Sequence, residues 1–138
     1  MDNDRIRDLT DLECWELLEA NDLARLAVSV GDRLDIYPIT YVTHGGKIYL
    51  RTFHGSKLLG LAINNQVAVE VDHVEEEHGS SVVVHGHARL LESEAEIQAA
   101  SALPLRSRLE ITEPVYVEIT ADEVSGRAFR FTPRPEPG

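Results

Sequence analysis

The stretch RTFHGSK, residues 51–57, combines side chains that hold phosphate groups in proteins. Arg51 offers a forked pair of N–H donors, Lys57 adds a point charge, and Thr52 and Ser56 supply hydroxyl donors. Ser56 and the glycine before it are also typical of a helix start, where free backbone N–H groups attract anions. This spacing predicts a site for a small dianion such as a terminal phosphate. The alternative is ordinary surface charge, and no P-loop motif is present.

Two predicted strands and a short helix must position these residues. KIYLRT alternates in polarity and predicts a strand that ends at Arg51 and Thr52, and KLLGLAI predicts a short helix that begins with Lys57. The preceding run, DIYPITYVT, predicts a second strand joined to KIYLRT by a turn at His44-Gly45-Gly46. Because proline lacks an N–H, Pro38 marks an edge, a bulge, or a place where something other than a strand lies alongside.

The rest of the chain predicts further strands and two capped helices. Thr10 with Glu13, and Ser93 with Glu96, have the spacing of capping boxes, so a helix is expected after each. The other predicted strands are LARLAVSV, QVAVEVD, SVVVHGHARLLE, VYVEIT and GRAFRF, the last two pairing across a turn at 122–125.

This succession predicts a mainly β fold with six to seven antiparallel strands and two or three peripheral short helices. Closing the sheet into a barrel is the simplest way to remove exposed edges. We expect a flexible N-terminus at 1–8, one domain at 9–131 and a disordered tail at 132–138.

Charge and composition restrict the possible partners. The 138 residues carry a formal net charge of −11, which disfavours nucleic acid and anionic membranes as partners. No apolar run is long enough for a transmembrane helix, and the N-terminus lacks the pattern of a secretory signal. The single cysteine, Cys14, cannot form an internal disulfide. We therefore expect a cytoplasmic protein.

Histidines suggest a metal site only weakly. His85 and His87 alternate on one predicted strand and share a face, and His73 or His78 could add a third ligand. An exposed strand segment explains the same pattern, and no H-E-x-x-H motif is present. We expect no metal.

The order and spacing of these segments resemble one protein family over roughly residues 9–130. The matching segments are LTDLECWELLEAND, LARLAVSV, YPITYVTHGGKIYLRT, GSKLLGL, VAVEVD and SVVVHGHARLLES. In this order they resemble the FMN-binding split barrels of the pyridoxamine 5′-phosphate oxidase-like family, and within it the nitroimidazole-resistance-type branch. The resemblance implies an antiparallel split β-barrel.

The resemblance also implies a cofactor and the residues around it. It implies noncovalent FMN in a cleft between the two subunits of a homodimer. The implied contacts are Tyr37, Pro38, Ile39 and Thr40 beside the isoalloxazine ring, Arg51 and Thr52 along the ring and ribityl chain, Ser56 and Lys57 at the phosphate, and Ser81 facing the ring.

The activity implied is that of an FMN-dependent oxidoreductase acting on a small oxidised acceptor, with no catalytic acid or base identified. Relatives often have tryptophan at the position of Ser80, and the oxidase itself has a C-terminal tryptophan–arginine motif where this chain ends GRAFRFTPRPEPG. The substrate therefore stays open. Two further alternatives stay open. The same barrel could bind a deazaflavin or haem, or the protein could bind a flavin without enzymatic activity.

Overall fold

The computed structural model describes residues 5–53, 65–105 and 111–132. The elements in these ranges are β1 (Ile6–Asp8), α1 (Asp11–Glu19), β2 (Leu23–Val30), β3 (Arg33–Thr40), β4 (Val42–His44), β5 (Lys47–Thr52), β6 (Gln66–Val74), β7 (His78–Leu90), α2 (Glu94–Ser101) and β8 (Val115–Arg130). The prediction of a mainly β fold is confirmed.

All strands belong to one antiparallel sheet. Its order is β3-β2-β6-β7-β8-β5-β4, and β1 pairs with the far end of β8. The two ends of this order, β3 and β4, are joined through the single residue Tyr41, so the sheet must curl until its ends meet. The result is the expected split barrel, an open curled sheet.

The core lies inside this curl, as strand alternation requires. Alternate residues of each long strand are buried there, among them Leu26, Val69, Val84, Leu50 and Ile119. Cys14 and Leu18 of α1 belong to the same core, so the helix packs over the interior of the curled sheet.

Helix α1 begins where its sequence signature predicts. The Thr10 hydroxyl accepts a hydrogen bond from the Glu13 N–H (3.2 Å), and the Glu13 carboxylate accepts one from the Thr10 N–H (3.0 Å). This reciprocal pair satisfies two N–H groups that the helix itself cannot bond. The capping box is confirmed.

The expected turn at 122–125 was wrong, because VYVEIT and GRAFRF form one continuous strand, β8. The long strand β7 pairs with both halves, from His78–Arg130 to Leu90–Val117, so no turn is needed. The register shifts once, between His85 and Gly86. A Cβ at Gly86 would collide with the backbone oxygen of Thr120, so the strands approach too closely for a side chain there.

Two other expectations concern the ends and the central helix. Residues 6–8, expected to be flexible, form β1 and pair with β8. The helix expected after Gly55 and most of the expected tail lie outside the described residues. Among the residues described, no helix has the length and apolar character needed to span a membrane.

Candidate functional site

The candidate site is the opening between β3 and β5. Strands β4 and β5 pair from His44–Lys47 to Val42–Tyr49. If this pairing continued, Thr40 would lie opposite Arg51. Instead the chain bends at Tyr41, and β3 pairs with β2. Residues of β3 and β5 come within 8 Å of each other (Cα–Cα), but no ladder joins these two strands in the described sheet.

Tyr41 holds the corner from which the opening starts. Its side chain is buried, and its hydroxyl donates a hydrogen bond to the Leu18 carbonyl of α1 (2.6 Å). Its N–H donates to the Asp22 carbonyl (3.0 Å) rather than to a strand. Burial raises the pKa of the Tyr41 hydroxyl well above its ordinary value, so it remains a donor at neutral pH.

The opening brings together six of the nine residues predicted for the site. Pro38, Thr40 and Arg51 lie on the outward face, and Tyr37, Ile39 and Thr52 lie on the inward face. Ile39 and Thr52 are buried, whereas Pro38 is exposed. Residues 37–40 and 51–52, which the sequence placed in two successive strands, therefore border the same gap.

Pro38 lies at the edge of the sheet, as expected for a strand residue that has no N–H. It pairs with Arg25 of β2, and β3 is an end strand of the sheet. On its other side β3 has no strand partner among the described residues. No described strand pairs with the backbone groups on that side, and a ligand in the opening would be able to bond them.

Arg51 supplies the strongest sign of a ligand. Its Nε atom is buried and has no hydrogen-bond partner within the described part of the chain. A buried donor without an acceptor costs free energy, and the cost is larger for a charged group. An anionic or carbonyl oxygen in the opening would satisfy this donor. The residues present therefore fit a phosphorylated cofactor such as a flavin nucleotide.

A polar cluster that was not predicted from the sequence lies beside Arg51. Glu118, which is 8% exposed, lies opposite Tyr49 of β5 and Arg89 of β7 in the strand register. The Tyr49 hydroxyl donates to Glu118 Oε2 (2.9 Å), and Arg89 and Lys47 donate to Oε1 (3.0 and 3.3 Å). Four residues on three strands make no sequence motif. The only signal was a glutamate inside the apolar strand VYVEIT.

Ser81 does not lie at this opening within one chain. It pairs with Arg127 of β8, whereas Arg51 pairs with Tyr116, eleven positions away on the same strand. At about 3.3 Å per residue, this separation is about 35 Å along the strand. Ser81 instead borders a surface cleft together with Val83, Ser125 and other residues of β7 and β8.

Ser56 and Lys57 lie outside the described residues, so their assignment to a phosphate stays a prediction. His85 and His87 both face outwards and are exposed, as their alternation predicts. In ranges 5–53, 65–105 and 111–132, no three His, Cys, Asp or Glu side chains are grouped so that they could hold a metal ion.

The family model of pyridoxamine 5′-phosphate oxidase matches residues 10–128. This chain belongs to that family. The match includes both sides of the opening, β3 and β5, and most of the sheet. The family prediction made from the sequence is confirmed.

Solved structures of related proteins support the assignment to the pyridoxamine 5′-phosphate oxidase family. The chain is 31% identical to a candidate pyridoxamine 5′-phosphate oxidase from Corynebacterium glutamicum, over 96% of this chain and 98% of that one, with a TM-score of 0.83. It is 35% identical to an FAD-binding protein from Mycobacterium smegmatis, over 90% and 98%, with a TM-score of 0.78. It is 28% identical to an FAD-binding protein from Mesorhizobium loti, over 89% and 96%, also with a TM-score of 0.78.

A curated relative matches over a shorter range. The chain is 33% identical to an uncharacterised Rhizobium meliloti protein, and the match spans 59% of this chain and 54% of that protein. The chain therefore has the fold of a family with flavin-binding members.

Proposed function

We propose that this chain binds a flavin nucleotide noncovalently in the opening between β3 and β5 and acts as a flavin-dependent oxidoreductase on a small oxidised acceptor. The observation that carries the proposal is the buried Nε of Arg51, which has no acceptor among the described residues and borders the gap beside an unpaired strand edge. The FAD-binding relatives at 35% and 28% identity support the choice of a flavin.

The chain's own residues would bind and orient the cofactor. Arg51 would donate to an oxygen of the ribityl phosphate or of the ring, and the free backbone edge of β3, at Tyr37–Thr40, would bond the polar edge of the ring. Ser56 and Lys57 remain the proposed phosphate ligands. The bound flavin would supply the redox chemistry.

The identity of the flavin has two candidates. FMN is the cofactor implied by the family resemblance, and FAD is favoured by the two relatives that bind it. Both contain riboflavin 5′-phosphate, so Arg51 would serve either. Mass analysis of the ligand released from the purified protein distinguishes them. An absorption spectrum with a Soret band would instead identify haem, and a band at shorter wavelength than that of flavin would identify a deazaflavin.

We also propose a homodimer, because the outward face of β3 is apolar and uncovered. Leu34 and Ile36 are 79% and 69% exposed, and Pro38 follows them on the same face. A second copy of the chain is the proposed cover. Within one chain, Ser81 of β7 pairs with a part of β8 that is distant from Arg51. Ser81 of the second copy would supply the implied contact with the flavin.

The first test is the affinity of Arg51→Gln for FMN and FAD, measured by flavin fluorescence quenching. Loss of a charge-assisted contact should weaken binding about 10- to 100-fold, roughly 1.4–2.8 kcal/mol. The control is Arg33→Gln, because Arg33 lies at the opposite end of β3, is 76% exposed and pairs with Asp35. Equal affinities of the Arg51 variant and the wild type would contradict the proposed site.

The second test concerns Lys57 and the phosphate. Lys57→Ala should weaken FMN binding by one to two orders of magnitude, roughly 1.4–3 kcal/mol, and should leave the affinity for riboflavin, which lacks the phosphate, unchanged. A similar loss for both ligands would count against a phosphate contact.

Turnover separates an enzyme from a binding protein. Steady oxidation of NADH or NADPH with a quinone or nitroaromatic acceptor would support the oxidoreductase. Tight flavin binding without turnover of any of these would support a flavin-binding protein instead.

A further inference from the structure

A cleft of about 250 Å³ lies between α2 and the outward face of β4, β5 and β8. It is lined by His44, Tyr49, Leu91, Glu96, Ala99, Ala100, Leu103 and Glu118. At about 30 Å³ per water-sized group, it has room for roughly eight non-hydrogen atoms.

The polar side of the cleft is formed by four residues, His44, Tyr49, Glu96 and Glu118. Glu118 and Tyr49 lie on the sheet side, and Glu96 lies on the helix side. Burial raises the pKa of Glu118, but hydrogen bonds from Tyr49, Arg89 and Lys47 outweigh it and hold the pKa below its ordinary value. Glu118 is therefore a carboxylate at neutral pH.

The cations near Glu118 do not line the cleft. Arg89 and Lys47 both donate to Oε1, whereas Oε2 accepts one hydrogen bond, from Tyr49. A carboxylate oxygen has two acceptor positions, so Oε2 retains one, and the Tyr49 oxygen can accept as well. No Lys or Arg is among the described residues that line the space.

The other walls are apolar. Leu91 and Ala100 are buried in a small cluster with Tyr116, apart from the main core, and Leu103 and Ala99 complete the wall along α2. The space exists partly because α2 has alanine at 99 and 100, whose side chains are short. An occupant must therefore have an apolar body and a head that donates hydrogen bonds.

We propose that this cleft binds a small primary aliphatic ammonium ion, with its charged head at Glu118 and Tyr49 and its alkyl chain against α2. Glu96 already pairs with Arg89, so Glu118 Oε2 is the acceptor that remains for the head. A cation is favoured over a neutral donor there because this acceptor belongs to a carboxylate and the whole chain carries a net charge of −11. This inference does not depend on the flavin.

The test is a titration of the purified protein with n-hexylammonium, followed by calorimetry and by amide NMR shifts. We expect saturable binding, and we expect the amide NMR signals of Ala99 and Ala100 to shift. 1-Hexanol and hexanoate, of similar size, should bind at least about tenfold more weakly, because neither carries a positive head. Equal binding of 1-hexanol would overturn the proposal.

Three variants test where the ligand binds. Ala99→Leu should fill the cleft and abolish binding, whereas Ala95→Leu, at an exposed position of α2 that does not line the cleft, should leave it unchanged. Glu118→Gln should weaken n-hexylammonium at least about tenfold while changing 1-hexanol little, which a general loss of structure would not do. Unchanged binding to Ala99→Leu would overturn the proposal, and flavin affinity of this variant would report separately on the opening at Arg51.

Discussion

Glu118 and Arg51 are charged residues on neighbouring strands, and they differ in whether their buried polar atoms have hydrogen-bond partners. Glu118 is almost fully buried and accepts three hydrogen bonds, which offset the loss of its water. Arg51 has a buried Nε with no acceptor among the described residues. A buried charge with hydrogen-bond partners is tolerated in a fold, whereas a buried donor without an acceptor needs another explanation, such as a bound ligand. This contrast supports the proposal that Arg51 contacts the flavin.

Replacing Glu118 should change how stability depends on pH. Its pKa is lowered in the folded state, so its contribution is present above the unfolded-state pKa, about 4.3, and is lost as pH falls through the folded-state value. Glu118→Gln should lose roughly 2–3 kcal/mol at pH 7, and the difference from wild type should shrink in acid. Urea unfolding at a series of pH values measures this.

The control for this prediction is Glu92→Gln, at an exposed position close to α2. It should follow the wild-type curve. A constant difference between Glu118→Gln and wild type down to pH 2 would show that Glu118 acts through packing and not through its charge.

At the level of the elements, the opening depends on where one strand ends and the next begins. Strands β3 and β4 would form one strand if Tyr41 continued the ladder, and the gap beside Arg51 would then close. The Tyr41 side chain and N–H instead bond to α1 and to the segment after it. A helix–strand contact therefore keeps the split open.

Tyr41→Phe tests this contact, because it removes only the hydroxyl that donates to the Leu18 carbonyl. We expect a loss of about 1 kcal/mol in the free energy of unfolding, measured by urea denaturation. Flavin affinity should fall as well if the corner shapes the opening. For the stability measurement alone, Tyr37→Phe, at a tyrosine of β3 that is only partly buried, is the matched comparison and should change the free energy of unfolding less.

Gly86 also affects how the elements fit together, because it allows β7 and β8 to shift register. Gly86→Ala places a methyl group against the Thr120 backbone oxygen, and backbone cannot move as a flexible side chain can. We expect destabilisation by about 2–4 kcal/mol. His85→Ala, at the exposed neighbour, should change the melting temperature little, and equal effects of both would contradict the steric explanation.

For the whole molecule, the exposed apolar side chains of β3 are the main unexplained surface. Leu34 and Ile36 lie on an end strand of the sheet, in a chain with a net charge of −11. Exposed apolar groups on a sheet edge favour association, and negative charge elsewhere limits it to that face. This supports a dimer formed through β3.

Ile36→Lys should therefore convert the protein to monomers in analytical ultracentrifugation at micromolar concentration. Leu12→Lys is the control, since Leu12 is equally exposed, at 70%, but lies on α1. Flavin affinity should fall together with dimerisation if a second copy completes the site. A wild-type protein that is monomeric at all concentrations would contradict this proposal.

Sequence alone determined the features that depend on neighbouring residues. The capping box of Thr10 and Glu13, the alternation of the strands and the order of segments typical of the family are all local, because helix starts and strand faces are set within a few positions. That was sufficient for the fold class, the family and the two segments that border the opening.

Only the tertiary structure decided which distant residues meet. Four features depend on the register between strands far apart in the chain. They are the continuity of β8, the bend at Tyr41, the cluster around Glu118, and the Nε of Arg51, which has no acceptor among the described residues. Such pairings arise from the packing of the whole sheet, so no short segment encodes them. For the same reason only the fold shows that Ser81 and Arg51 of one chain pair with distant parts of β8, and the contact of Ser81 with the flavin stays a prediction that involves the second subunit.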